Sequence, residues 1–285
     1  MKLYDFDGMF DKKISSFISK NAGRFSEEQL EDMIPAEYEK FGDTPIKSLG
    51  VSPRAYYAQM SDRELVNCLC AHVKNGVPVP AFLCRELEKR SECRNALVAL
   101  LSGGQQELLP YIVNILGSYA KALPVYMQLI PAEEDEEFRN KLIDLVKENA
   151  DAVKEQALEN YSHGQEKTLM LEILSCVKNR DDRIFDILIK EFRGSDEVQM
   201  LAGYLATYGD ERALPYLSAK AEEDGLPYAD FQEIKYAIEA LGGEYTGERD
   251  YSGDPEYELV HAHGAPSADI FSAFEENAEG GNIKN

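Results

Sequence analysis

The sequence predicts an all-α protein: an α-solenoid of antiparallel helical hairpins behind a non-repeating helical N-terminal cap. Three observations predict it. Apolar residues recur in register, with Leu123, Val153, Ile184 and Leu214 separated by 30, 31 and 30 residues. Ile112, Leu142, Ile173 and Tyr204 keep the same step, as do Leu116, Val146, Val177 and Tyr208. Each step holds two helical runs and no strand-like alternation. The tripeptide Ala-Leu-Pro stands at 122–124 and again at 213–215. Self-similarity at a step of about 20–50 residues is the signature of a repeat array, whose units share a core because none can bury its apolar face alone.

Residues 1–90 are helical without repeating. Phe6, Met9, Phe10, Ile14, Phe17 and Ile18 define an amphipathic helix ending near Asn21-Ala22-Gly23. Ser26 and Gln29 form a capping-box pattern, followed by a stripe of Leu30, Met33, Ile34, Tyr38 and Phe41. Pro35 predicts a kink or break in that stripe. Ser52-Pro53 opens a short helix with Tyr56 and Tyr57. Ser61 and Glu64 repeat the capping box, and Leu65, Val66, Leu69 and Val73 follow as a buried face up to Asn75-Gly76. Pro78 and Pro80 stiffen the connector to a helix carrying Phe82, Leu83 and Leu87.

Residues 91–243 form the array, read as five hairpins: 92–117, 119–149, 152–178, 181–208 and 211–242. Their inner turns fall at Gly103-Gly104, Pro131-Ala132, His163-Gly164, Gly194-Ser195 and Gly225. The stretch Gly209-Asp210-Glu211-Arg212-Ala213-Leu214-Pro215-Tyr216-Leu217 resembles the HEAT repeat, most closely the PBS-lyase HEAT-like subtype. The resemblance covers one repeat well and the second half of the chain loosely. It implies a concave surface made by the second helix of each pair, and protein–protein interaction as the usual role.

Residues 244–285 differ in composition. They hold ten acidic and two basic residues, and only Tyr257–Val260 looks orderly before a final short helix with Ile270, Phe271 and Phe274 on one side, capped by Ser267-Ala268-Asp269. Gly280 to Asn285 is expected to fray. Two expectations for the apolar tail residues stand side by side: they cap the last hairpin, or they fold back onto the array or a neighbouring copy.

Charge narrows the function classes. With 30 basic against 52 acidic residues the formal net charge is −22, a field that repels phosphate backbones, and no basic patch overrides it. Nucleic acid is therefore not an expected partner. The opening MKLYDFDGMFDKK has no export or transit pattern, and no apolar run approaches the ~20 residues of a membrane span. Five cysteines without an export signal predict reduced thiols and a cytoplasmic protein.

Two clusters resemble metal sites at first sight. Cys68-x-Cys70-x-His72 sits inside an amphipathic helix, where Cys68 and His72 share a face and Cys70 points away, so core packing is favoured. His261-Ala262-His263, near Asp254, Glu256, Glu258 and Asp269, puts both imidazoles on one side only if the segment is extended, and is read as a polar loop. No Ser-His-Asp or Cys-His constellation, P-loop or dinucleotide fingerprint occurs. His72 and His163 lie at helix ends, where a structural role is expected. Tyr111, Tyr119, Tyr126, Tyr161, Tyr204, Tyr208 and Tyr216 are each read as packing, or together as the lining of a groove.

The expected function is a non-enzymatic interaction scaffold, without cofactor or metal, whose acidic concave face takes a basic protein or peptide. The candidate binding residues, chosen by helical phase on the second helices, are Asn114, Glu148, Glu172, Gln199 and Glu239. The alternative is an enzyme on the same fold, such as a bilin-lyase-like subunit, for which no motif is present.

Overall fold

The computed structural model describes residues 2–21 and 23–262, with only the backbone of 261 and 262. Among them are sixteen α-helices, three short 3-10 turns and no strand. The chain divides after Val153 into two compact units. The expected tail helix, its cap and the frayed end all fall outside the described residues. No helix is long and apolar enough to cross a membrane among those described.

The first unit contains α1 (Phe6–Asn21), α2 (Glu27–Asp43), α3 (Pro53–Ala58), α4 (Asp62–Lys74), α5 (Ala81–Lys89), α6 (Ser91–Leu101), α7 (Leu109–Leu116), α8 (Leu123–Leu129) and α9 (Glu136–Glu148). Both capping boxes form. Ser26 Oγ accepts from Gln29 N at 3.2 Å while Gln29 Oε1 accepts from Ser26 N at 3.0 Å, and Ser61 and Glu64 repeat the exchange before α4. Helix α5 has no local side-chain cap because Pro80 precedes it. Asp7 of α1 supplies the acceptor from a distance: its Oδ2 takes the Ala81 N–H at 3.0 Å and its Oδ1 takes the Tyr38 hydroxyl at 2.6 Å. A cap of this kind is worth about 1 kcal/mol. Here it also fixes α1, α2 and α5 to one another.

Pro35 neither ends nor divides α2, contrary to the expected kink or break as far as a break is concerned. The carbonyl that loses its donor belongs to Glu31, four residues earlier, and both Glu31 and Pro35 are exposed, so the helix carries its proline on the solvent side. Beyond Pro35 the helix brings Tyr38 into a stack with Phe82 of α5, ring centres 4.6 Å apart. Gly42 is required by the same contact, since a Cβ there would lie 2.5 Å from the Phe82 ring.

Helix α10 (Ala150–Ser162) spans the division. The second unit continues with α11 (Lys167–Ser175), α12 (Asp182–Gly194), α13 (Val198–Tyr208), α14 (Leu214–Ala221), α15 (Tyr228–Ala240) and α16 (Pro255–Ala262). Helix α12 packs on α13 and α14 on α15, while α13 also lies against both α11 and α15. Gly209 ends α13 at φ 74°, a left-handed cap that a side chain would oppose. The apolar register is the core: all its members are buried except Leu214 and Tyr204, which are half-buried. A buried Leu, Ile or Val contributes about 1.5–3 kcal/mol, so a register kept along the chain is a large share of the driving force.

The segment after α15 is more ordered than its composition predicts. Arg249 donates to the carbonyls of Ala221 and Glu223, each at 2.6 Å, and satisfies the C-terminal end of α14. Tyr245 donates to Glu222 at 2.6 Å, and Asp254 accepts from Tyr228 N at 3.1 Å. Tyr251 packs among Tyr228, Phe231 and Tyr257. Residues 245–254 therefore form a strap over α14 and α15.

Candidate binding face

The second unit positions its surface through two Asp-x-Arg brackets. Asp181 precedes α12 and accepts from Arg183 N at 3.1 Å, and Asp210 precedes the 3-10 turn Glu211–Ala213 that leads into α14 and accepts from Arg212 N at 3.0 Å. Each arginine folds back onto its own aspartate and then reaches an earlier helix, Arg183 to α10 and Arg212 to α12. Arg183 forms a fork on Glu155 at 2.7 and 2.9 Å, and Arg212 meets Asp182 at 2.8 Å. Lys154 adds a second cation to Asp181 at 3.0 Å. The Arg183 and Lys154 charges hold the Asp181 carboxyl far below the ordinary carboxylate range, and Arg212 lowers that of Asp210. Tyr208 completes the bracket from α13, donating its hydroxyl to the Asp181 carbonyl at 2.9 Å and accepting the Asp181 N–H at 2.7 Å. Sequence reasoning missed these brackets, although Asp181-Asp182-Arg183 and Asp210-Glu211-Arg212 were there to be compared.

With the first helices fixed, α11, α13 and α15 lie side by side, α13 in the middle. Helix α13 carries no charged residue; it exposes Gln199 and Thr207 and half-exposes Met200, Gly203 and Ala206. Its neighbours supply the charge: Glu172 on α11, and Asp230, Glu233 and Glu239 on α15, against Lys167 and Lys235. Lys167 is drawn off by Glu191 at 2.7 Å, which leaves the layer acidic. Tyr204 turns from α13 towards α11. Burial, and then Glu172, Glu197 and Cys176, push its hydroxyl up to about 12.

The five candidate residues are divided between the two units, Asn114 and Glu148 in the first and Glu172, Gln199 and Glu239 in the second. Glu172, Gln199 and Glu239 belong to the α11–α13–α15 layer, but at different heights. Gln199 donates to Asp230 at 2.9 Å and ties the first turns of α13 and α15, whereas Glu239 is nine residues further along α15, roughly 13 Å at 1.5 Å per residue. Glu148 is exposed at the end of α9. Asn114 on α7 accepts from Lys141 of α9. The tyrosines do not line one groove either: Tyr126 and Tyr208 are buried, while Tyr111 and Tyr216 are exposed.

The metal-like clusters resolve differently from each other. Cys68 and His72 are buried side by side on the inner face of α4, and His72 Nδ1 donates to the Pro78 carbonyl at 2.8 Å. His72 thus lies in the last turn of α4, as expected, with its side chain packed inside. His261 and Ala262 continue α16, so the extended geometry required by the His-x-His reading is absent there; His263 and Asp269 lie outside the described residues. No group of three His, Cys, Asp or Glu is arranged to hold a metal ion among the described residues.

No family model matches this chain, and comparison with curated proteins and with solved structures likewise returns no match.

Proposed function

We propose that the protein is a non-enzymatic interaction scaffold, its hairpins forming a HEAT-like array whose second helices bind a basic segment of another protein. The observation that carries the reading is the layer of α11, α13 and α15, in which a neutral middle helix with small half-exposed residues is flanked by carboxylates. A peptide lying along α13 meets little steric obstruction at Gly203 and Ala206, and its Lys or Arg side chains reach Glu172 on one side and Asp230 or Glu233 on the other. Net charge of −22 steers such a partner by long-range attraction, with an on-rate that falls as salt rises.

The test is binding to a library of basic peptides at low and moderate salt. The wild-type protein is compared with a Glu172→Lys/Glu233→Lys double variant and with a charge-matched Glu244→Lys/Glu248→Lys control beyond α15. Loss of affinity in the double variant alone supports the face. Equal loss in both charge variants means that overall charge, and not this layer, is recognised, and the proposal fails.

A further inference from the structure

Helix α15 presents one aromatic side chain that its own chain does not use. Tyr236 is 60 % exposed, and no other aromatic side chain among the described residues is as open to solvent. Phe231, Ile234 and Ile238 bury the opposite side of the helix, so the ring points away from the core. Among the described residues it makes no ring contact, cation contact or hydrogen bond. Glu233 stands three residues before it and Glu239 three after, both exposed, at the spacing that makes side chains neighbours on a helix surface. Neither carboxylate has a partner among the described residues. Lys235 is half-buried, lies next in sequence and so does not face the ring, and makes no ion pair among the described residues.

Elsewhere the chain fills this arrangement of ring and carboxylate with a guanidinium. Arg212 lies 4.3 Å from the centre of the Phe185 ring and pairs with Asp182 and Asp210. Arg85 lies 5.6 Å from the centre of the Tyr38 ring and pairs with Glu39. A flat guanidinium can stack on a ring and still fork its donors onto a carboxylate. Lys167 makes a lysine version with Tyr161 and Glu191, but an ammonium is a compact, strongly hydrated point charge that offers the ring no flat face. Tyr236 with Glu233 and Glu239 is the same arrangement with no cation of this chain upon it.

We propose that Tyr236 anchors the partner by taking an arginine side chain, the guanidinium stacked on the ring and hydrogen-bonded to Glu233 or Glu239, and that the protein thereby selects arginine over lysine. The inference rests on the reading of the α11–α13–α15 layer as the binding face, and names the side chain which that face recognises. Charge complementarity supplies the attraction, since two unpartnered carboxylates flank the ring. The ring supplies the discrimination, and an exposed cation–π contact changes affinity by a factor of roughly two to five.

The test is fluorescence anisotropy at low salt with a labelled peptide of alternating arginine and glycine and its lysine counterpart. The full chain is compared with Tyr236→Phe, Tyr236→Leu and the Glu172→Lys/Glu233→Lys double variant. Wild type should bind the arginine peptide roughly two- to fivefold more tightly than the lysine peptide. Tyr236→Phe keeps the ring face and should keep that preference, whereas Tyr236→Leu keeps apolar area without the ring and should reduce it. Equal affinity for the two peptides in wild type overturns the proposal, as does a preference that Tyr236→Leu leaves unchanged. If the peptides bind equally and the double variant loses both, the acidic layer stands and the anchor alone fails. If neither peptide binds wild type, the layer fails and the anchor with it.

Discussion

Arg212 lies 2.8 Å from Asp182, thirty residues earlier in the chain, while the rest of its guanidinium holds Asp210 of its own turn. Arg183 repeats the relationship with Glu155 and Asp181. One side chain thus orders a helix start and ties it to an earlier helix. The two halves are unequal: Asp182 is 82 % exposed and Asp210 only 2 %. Water competes for the first pair and not for the second.

Asp210→Ala should therefore cost about 2–3 kcal/mol, the sum of a lost cap and a buried acceptor, with Arg212 left unpaired on that side. Asp182→Ala should leave the denaturant midpoint unchanged, as exposed pairs usually do. Chemical unfolding of both variants checks this. Equal losses would mean that the link between helices, and not the cap, stabilises the second unit.

The same aspartates set a pH dependence. Arginine beside them depresses their folded-state values, so their stabilisation is complete above the ordinary carboxylate range and drains as pH falls towards those lower values. The stability gap between wild type and Asp210→Ala should be constant from roughly pH 6 to 8 and narrow below about pH 4, where the unfolded chain takes up its protons first. Unfolding midpoints measured over a pH series give the answer. A gap that stays constant into acid would show that the charge of Asp210 contributes nothing.

What could be read from the sequence was local or periodic. Capping boxes at Ser26 and Ser61 are contained within four residues, and burial accounts for the apolar side chains that recur in the sequence at Ile112, Leu142 and Ile173. The strap was not legible, because the partners of Tyr245, Arg249 and Asp254 lie 23, 28 and 26 residues away in a stretch whose Gly and Asp content signals loop. For the candidate face, helical phase placed Gln199 and Glu239 on the surface, but the pairing of Gln199 with Asp230 depends on how α13 meets α15. Asp7 is the same case: nothing near it in sequence reveals that it caps α5.

Thiol reactivity separates the five free cysteines. Cys68 and Cys93 are fully buried, and burial pushes each thiol up to about 11. Both should resist a disulfide reagent at neutral pH until the protein unfolds, because the thiolate is the nucleophile and neither ionises nor meets solvent. Half-buried Cys70 and Cys176 should be labelled first. Peptide mapping after brief labelling decides it, and early modification of Cys68 or Cys93 would contradict the packing of α4 and α6.

Arg249→Ala should free the strap from α14. Two carbonyls at the helix end lose a forked donor, a loss of about 1–2 kcal/mol, and Tyr251 loses the cation beside its ring. Arg249→Lys should recover only part, since an ammonium cannot reproduce the fork. Limited proteolysis within 245–254 reads the effect directly. Unchanged cleavage in Arg249→Ala would mean that the tyrosine cluster alone holds the segment.

Pro35→Ala tests whether α2 tolerates its proline or uses it. Alanine restores the backbone donor to the Glu31 carbonyl and removes the ring's clash with it, a helix-interior gain of about 3 kcal/mol, less roughly 1 kcal/mol for the looser unfolded chain. Exposure of both residues places the lost bond on the solvent side, which trims the gain further. A net stabilisation of about 1–2 kcal/mol is expected by chemical unfolding. Downstream of Pro35, Tyr38 stacks on Phe82 and Gly42 lets that ring approach, so these contacts depend on the direction in which α2 leaves the proline. Destabilisation by Pro35→Ala would show that the proline sets this direction, and that its helix cost is offset by the packing of α2 against α5.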